Sequence, residues 1–128
     1  MSRTLTPFEV QALIPELELI CGRLVWLRGE LRRRTPDGAD LPDPNHPEIT
    51  SLIAEADRLI GRIADLGGQL KSAERGLIDF ACQRGDEVVL LCWQLGEKRL
   101  AWWHGMNEGF AGRKSMELEP GPPAELLN

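Results

Sequence analysis

Apolar residues recur along the first half of the chain at Leu13, Leu17, Ile20, Leu24, Leu27 and Leu31, in steps of 4, 3, 4, 3 and 4. That is heptad spacing, which lays one apolar stripe along an α-helix. A second stripe, Ile49, Leu52, Ala56, Leu59, Ile63 and Leu66, repeats in steps of 3, 4, 3, 4 and 3. The first helix opens at Thr6-Pro7-Phe8-Glu9, with Thr6 as N-cap, Pro7 at the first helical position and Glu9 placed to close a capping box. Pro15 then either kinks the helix or starts a second segment. Pro47-Glu48 opens the second helix and Gly67-Gly68 ends it. Between them TPDGADLPDPNH, at 35–46, cannot continue a helix. Two matched stripes joined by one loop predict a long antiparallel helical hairpin over about 7–66. Ile14, Val25, Trp26, Ile53 and Ile60 leave apolar surface that another layer must cover.

After the two glycines the period changes. GLIDFACQ at 76–83, EVVLLCWQL at 87–95 and RLAWWH at 99–104 are short, β-branched or aromatic, and separated by turn residues. They predict a three-stranded antiparallel β-meander over about 76–104, with turns at Arg84-Gly85-Asp86 and around Gly96-Glu97. A C-terminal segment at 105–118 follows, then a Pro-rich tail at 119–128 that is expected to be flexible. The predicted fold class is α+β: the helical hairpin packed against the small meander as a single domain over 1–118. With 128 residues, 42% hydrophobic and 27% charged, the chain has enough apolar mass for a core without disulfides or metals.

Charge removes one class of partner. The net charge is -5, and neither half of the chain carries a basic surplus, so no nucleic-acid footprint is expected. The one basic cluster, Arg28, Arg32, Arg33 and Arg34, falls where the first helix ends and complements its macrodipole. No uncharged apolar run reaches the roughly 18 residues of a membrane span, and no export signal is visible at the N-terminus. Cys21, Cys82 and Cys92 are an odd set without CxxC spacing, which predicts free thiols and a cytoplasmic location.

The candidates for chemistry are Asp79, Cys92, Glu97, His104, Glu108 and Arg113. A two-residue turn at Gly96-Glu97 would pair Leu95 with Lys98, Trp93 with Leu100, Leu91 with Trp102 and Val89 with His104. His104 then shares a face with Leu91, Trp93 and Trp102, while Cys92 and Trp103 point the other way, so no Cys92–His104 dyad can form. A three-residue loop or a bulge would reverse that result. Cys92, between Leu91 and Trp93, reads as a small buried hydrophobe. No metal and no cofactor are expected, because the possible ligands are scattered; if a metal binds, His104 and Glu108 are its leading ligands. Gly109-Phe110-Ala111-Gly112-Arg113 lacks phosphate-loop spacing. Its glycines instead let the segment turn back, so that Phe110 plugs the core and Arg113 pairs with Asp79, Glu97 or Glu108. Glu97, His104 and Arg113 are expected to form one structural cluster that pins this segment to the sheet. Trp93, Trp102 and Trp103 straddle both sheet faces, so the face away from the hairpin is expected to expose tryptophan and mark a partner surface.

GLIDF at 76–80, LCWQLGE at 91–97, WWHG at 102–105 and GFAGR at 109–113, following a Pro-interrupted heptad helix, resemble a family of short prokaryotic proteins, domain of unknown function 2203. The likeness spans nearly the whole chain, and it implies relatives without an assigned activity, substrate or cofactor. In that family a proline often follows the Asp-Phe pair and an acidic residue often follows the Trp-His pair, where this chain has Ala81 and Gly105. The expected function is a cytoplasmic module that self-associates as a homodimer through its helical stripes or its tryptophan face. The alternative is a small metal-dependent enzyme or ligand-binding protein with a polar site around His104, Glu97, Glu108, Asp79 and Arg113. No particular small-molecule ligand follows from the sequence.

Overall fold

The computed structural model describes residues 3–116; the flexibility expected of the tail at 119–128 concerns residues outside that range. Helix α1 (Pro7–Arg33) starts with the complete capping box, Thr6 Oγ1 accepting from Glu9 N and Glu9 Oε1 accepting from Thr6 N. It runs unbroken through Pro15, which lies on the exposed side. Burial of Val10, Ile14, Leu17, Ile20, Cys21, Leu24 and Leu27 offsets the hydrogen bond that the proline removes. This buried stripe is wider than the predicted seam, and Leu13 and Leu31 are only half-buried. The reason is that α1 has two neighbours, the sheet on one side and α2 (Pro47–Asp65) on the other.

Helix α2 is peripheral, with Ile49 and Ile63 its only buried residues, although Ala56 and Leu59 pack against the core. Ion pairs fasten it: Glu16 to Arg62 at 2.6 Å, Arg23 to Glu55, and Arg34 to Glu48, a ladder that traces the antiparallel course of the two helices. The basic cluster is used structurally as well, since Arg28 pairs with Glu74 and Arg33 and Arg34 pair with Glu30. His46, in the connecting loop, is the N-cap of α2, its Nδ1 accepting from Glu48 N at 3.2 Å. After Leu66 the chain turns at Gly67 with φ of 95°, a conformation that favours glycine.

The sheet has five strands, not three: β1 (Gly68–Ser72), β2 (Leu77–Arg84), β3 (Glu87–Gln94), β4 (Trp102–Gly105) and β5 (Lys114–Ser115), antiparallel and ordered as in sequence. The extra strands sit at the edges. β1 has little strand propensity of its own, but β2 offers it an open ladder, and the pre-helical Leu5 continues that ladder by donating to Ala81 O at 2.8 Å. The turn at Arg84-Gly85-Asp86 forms as predicted, with Arg84 opposite Glu87.

The β3–β4 register differs from the two-residue-turn expectation by one residue. Seven residues, 95–101, connect the strands, and the observed pairs are Val89 with Gly105, Leu90 with His104, Leu91 with Trp103 and Cys92 with Trp102. The cause is Leu100, which turns into the core instead of pairing with Trp93 and donates its N–H to Gln11 Oε1 of α1 at 2.8 Å. A slip of one residue exchanges the faces. Ile78, Phe80, Cys82, Val89, Leu91, Trp93 and Trp103 therefore face α1 in the core, and Leu77, Asp79, Ala81, Leu90, Cys92, Trp102 and His104 face outward.

The ion-pair ladder gives a pH prediction. Hydrogen bonds from Arg62 and Arg23 hold the Glu16 and Glu55 carboxyls below the ordinary 4.5. A carboxylate whose folded pKa is depressed adds stability above its unfolded pKa and loses it as pH falls through the folded one. Amide-exchange protection of α2 is therefore expected to fall below about pH 4 before that of β2 and β3 does. Simultaneous loss in helix and strands would show that the ladder does not hold α2.

Candidate functional site

The outward face of the sheet is covered by residues 105–113 folding back over it, so it does not present its tryptophans freely. Trp93 and Trp103 lie in the core, and Trp102 is half-buried with the Arg113 guanidinium 5.0 Å from its ring centroid. Phe110 does not plug the core. It is half-buried between Arg75, at 4.3 Å, and Arg113, at 4.6 Å. Between sheet and returning segment is a cavity of about 240 Å³, lined by Lys71, Leu77, Asp79, Leu90, Cys92, His104, Met106, Glu108, Gly109 and Phe110.

Three polar groups from three adjacent strands meet in its wall. Asp79, Cys92 and His104 are 3%, 1% and 2% exposed, and their carboxylate oxygen, sulfur and ring nitrogen all lie within 4.8 Å of one another. The register places them: Asp79 is directly opposite Cys92, and His104 is opposite Leu90, two residues from Cys92 on the same face. The conclusion from the shorter turn, that Cys92 and His104 point to opposite faces, is thus corrected. Half of this was recoverable from the sequence. With Gly85-Asp86 as a two-residue turn, counting outward pairs Asp79 with Cys92; only the longer β3–β4 connection hid His104.

The contacts of His104 place a hydrogen on Nδ1. Nδ1 is 2.9 Å from Gly105 O, and a carbonyl oxygen can only accept, so Nδ1 carries a hydrogen. Nε2 faces Asp79 Oδ2 at 3.2 Å, another acceptor, while Asp79 Oδ1 is buried with no partner among the described residues. Burial pushes the Cys92 thiol up to about 12, with the Arg113 guanidinium opposing and the Asp79 carboxylate adding to the shift. Nδ1 of His104 meets Gly105 O and Nε2 faces Asp79 Oδ2, so neither ring nitrogen is hydrogen-bonded to that thiol.

The expected single cluster of Glu97, His104 and Arg113 is in fact two. Arg113, 11% exposed, donates from Nη2 to Glu97 Oε1 at 2.8 Å and to Cys92 O at 3.2 Å. Glu97, 24% exposed, also accepts from Gln94 N, and its carbonyl accepts from Trp93 Nε1. This pair fastens the β3–β4 connection to the returning segment. His104 belongs to the other cluster, with Asp79. Glu108 accepts from Gly105 N at 2.8 Å and Lys114 Nζ at 2.6 Å, so it holds the backbone that in turn holds His104. A Cβ on Gly112 would stand 2.9 Å from Glu108 Cβ, so a bare backbone is needed there for the segment to close.

A family model described as "Uncharacterized conserved protein (DUF2203)" matches residues 3–116, and the chain belongs to this family. No curated protein and no solved structure matches it.

Two measurements follow from the site. Glu97→Ala and Arg113→Ala should each destabilise the protein by about 1 to 3 kcal/mol, and the double variant by less than their sum. Additive effects in urea titrations would mean that the two residues do not act as a pair. Burial raises the Cys21 and Cys82 thiols to about 11 and Cys92 to about 12. Ellman's reagent at neutral pH should therefore leave all three unreacted until denaturant is added, and fast native labelling would contradict their placement.

Proposed function

We propose that this DUF2203 protein binds a small polar ligand in the cavity between the outward sheet face and residues 105–113. The observation that carries the reading is the convergence of Asp79, Cys92 and His104, all buried, in the wall of a pocket that Leu77, Leu90, Met106 and Phe110 also line. Polar groups are costly to bury, and here a carboxylate oxygen is left without a partner among the described residues. A fold with no use for them would gain by filling the same positions with leucine and valine, as it does on the core face. The larger groove of about 690 Å³ between α1, α2 and the loop at 35–42 is lined by Leu24, Leu27, Leu31, Ala56 and Ile60. Its charged members, Arg28, Arg32, Asp37 and Asp40, are exposed, so nothing comparable converges there. The three cysteines are buried and unpaired, which supports a reducing compartment, and on that ground we assign the protein to the cytoplasm. Among the described residues no helix is long and apolar enough to cross a membrane.

The test is a nuclear magnetic resonance screen with small polar fragments against the isotope-labelled chain. Bound fragments should shift the amides of Asp79, Cys92, His104 and Phe110. A library that moves only residues of the helical groove, or none at all, would remove this reading.

Self-association is a second reading, and it rests on the helices. Leu19 and Trp26 on α1, and Ile53 and Ile60 on α2, are each seven residues apart and exposed. A pair of exposed apolar residues at heptad spacing on each helix suits a two-fold contact between hairpins. Light scattering should give about twice the 14.3 kDa chain mass at micromolar concentration, and Trp26→Lys with Ile60→Lys should restore the monomer. A monomeric wild type would defeat this second reading and leave the first untouched.

A further inference from the structure

We propose that Asp79, Cys92 and His104 hold a divalent transition-metal ion of the zinc class in the wall of this cavity. The proposal deepens the ligand-pocket reading above and rests on it for the ion's purpose, although not for its binding. From the sequence alone no metal is expected; the convergence of three donors is what changes the argument.

Charge makes the first case. Nδ1 of His104 donates to Gly105 O, so unless the ring carries a second proton Nε2 presents a bare lone pair. That lone pair points at Asp79 Oδ2, 3.2 Å away, which is rich in electrons too. Two lone pairs facing each other in a site hidden from water repel unless a positive charge lies between them. The charge is either a proton or a cation. A proton would join Nε2 and Oδ2 as a pair and leave the nearby Cys92 sulfur outside it. A cation engages carboxylate, imidazole and sulfur together.

Geometry makes the second. Zinc binds nitrogen and oxygen at about 2.0 to 2.2 Å, so neighbouring donors around a tetrahedral ion stand roughly 3.3 Å apart. The 3.2 Å separation of Nε2 and Oδ2 is such an edge, and the sulfur completes a triangle within 4.8 Å. One oxygen, one nitrogen and one sulfur suit zinc, cobalt or ferrous iron, and argue against magnesium or calcium, which take oxygen ligands.

The supporting contacts are those a metal-bound histidine needs. The ring nitrogen away from the ion donates to a backbone carbonyl, Gly105 O, which fixes both tautomer and ring orientation. Gly105 is held in turn by Glu108, and the Cys92 carbonyl by Arg113. Glu108 is therefore a positioning residue, not the second ligand that the sequence suggested. Three protein ligands would leave a coordination position for a ligand's own oxygen or nitrogen, and all three residues line the cavity.

The experiment uses untagged, chelator-stripped full-length protein titrated anaerobically with Co²⁺. One equivalent should bind, with tetrahedral d–d bands in the visible and a thiolate-to-cobalt charge-transfer band in the near ultraviolet. Cys92→Ser should abolish the charge-transfer band, His104→Gln should weaken binding at least tenfold, and Glu108→Gln should weaken it about 10 to 100-fold while keeping the band. Zinc-edge X-ray absorption on the wild type needs no variant, and should show one sulfur among nitrogen and oxygen neighbours. No uptake, a first shell without sulfur, or a charge-transfer band that survives Cys92→Ser would each overturn the metal site. Fragments that bind while cobalt does not would sink the metal and keep the pocket. Cobalt bound with these signatures but no fragment would keep the metal and sink the pocket.

Discussion

The inward turn of Leu100 between β3 and β4 is the constraint on which the rest of the molecule depends. A tight hairpin would have used Leu100 as a strand residue; the seven-residue connection sends it into the core, where Gln11 of α1 accepts its N–H. That choice fixes register, and register in a sheet decides which side chains are core. Trp103 joins Trp93 against α1, and His104 joins Asp79 and Cys92 on the outward face. The connection is locked at its other end by the Arg113–Glu97 pair, so the residues that fix the register also draw 105–113 over the sheet. Closure of the cavity and placement of its polar wall share one cause.

The two faces of the sheet then do different work. The inner face is apolar throughout and shares α1 with α2, an economical arrangement in which one long helix serves as the centre of the core. Its burial is the main source of stability, while α2 is fastened by exposed ion pairs that individually contribute little. Because the inner face carries the fold, the outer face can tolerate groups that cost free energy to bury. This division explains how the fold can accommodate a buried carboxylate, imidazole and thiol.

What the sequence made legible follows from the range of the interactions involved. The capping box at Thr6 and Glu9, the helical stripes, the glycine stop at Gly67 and the turn at Gly85 and Asp86 are local, set by residues within a turn of one another. The two edge strands were not legible, because Gly68–Ser72 and Lys114–Ser115 are strands only by virtue of the neighbours that offer them hydrogen bonds. The site was half legible. All its members were candidates on residue type, yet their grouping depends on whether the β3–β4 connection is even or odd, and Leu100 carries no local mark that it turns inward. Alternation makes strand sites unforgiving in this way: one residue of loop length moves every side chain to the other face.

The same geometry accounts for the glycine that follows Trp103-His104. With Gly105 there, no carboxylate stands beside the histidine in the sequence. In space the carboxylate is supplied from three residues further on. Glu108 folds back so that its Oε1 accepts from Gly105 N, and a Cβ at position 105 would stand only 3.0 Å from that same oxygen. A side chain at 105 and this placement of Glu108 therefore crowd each other. Glycine with Glu108 keeps a negative charge next to His104 without placing it on the adjacent residue. It also leaves the Gly105 carbonyl aimed at Nδ1, which is the contact that turns Nε2 toward Asp79 and Cys92.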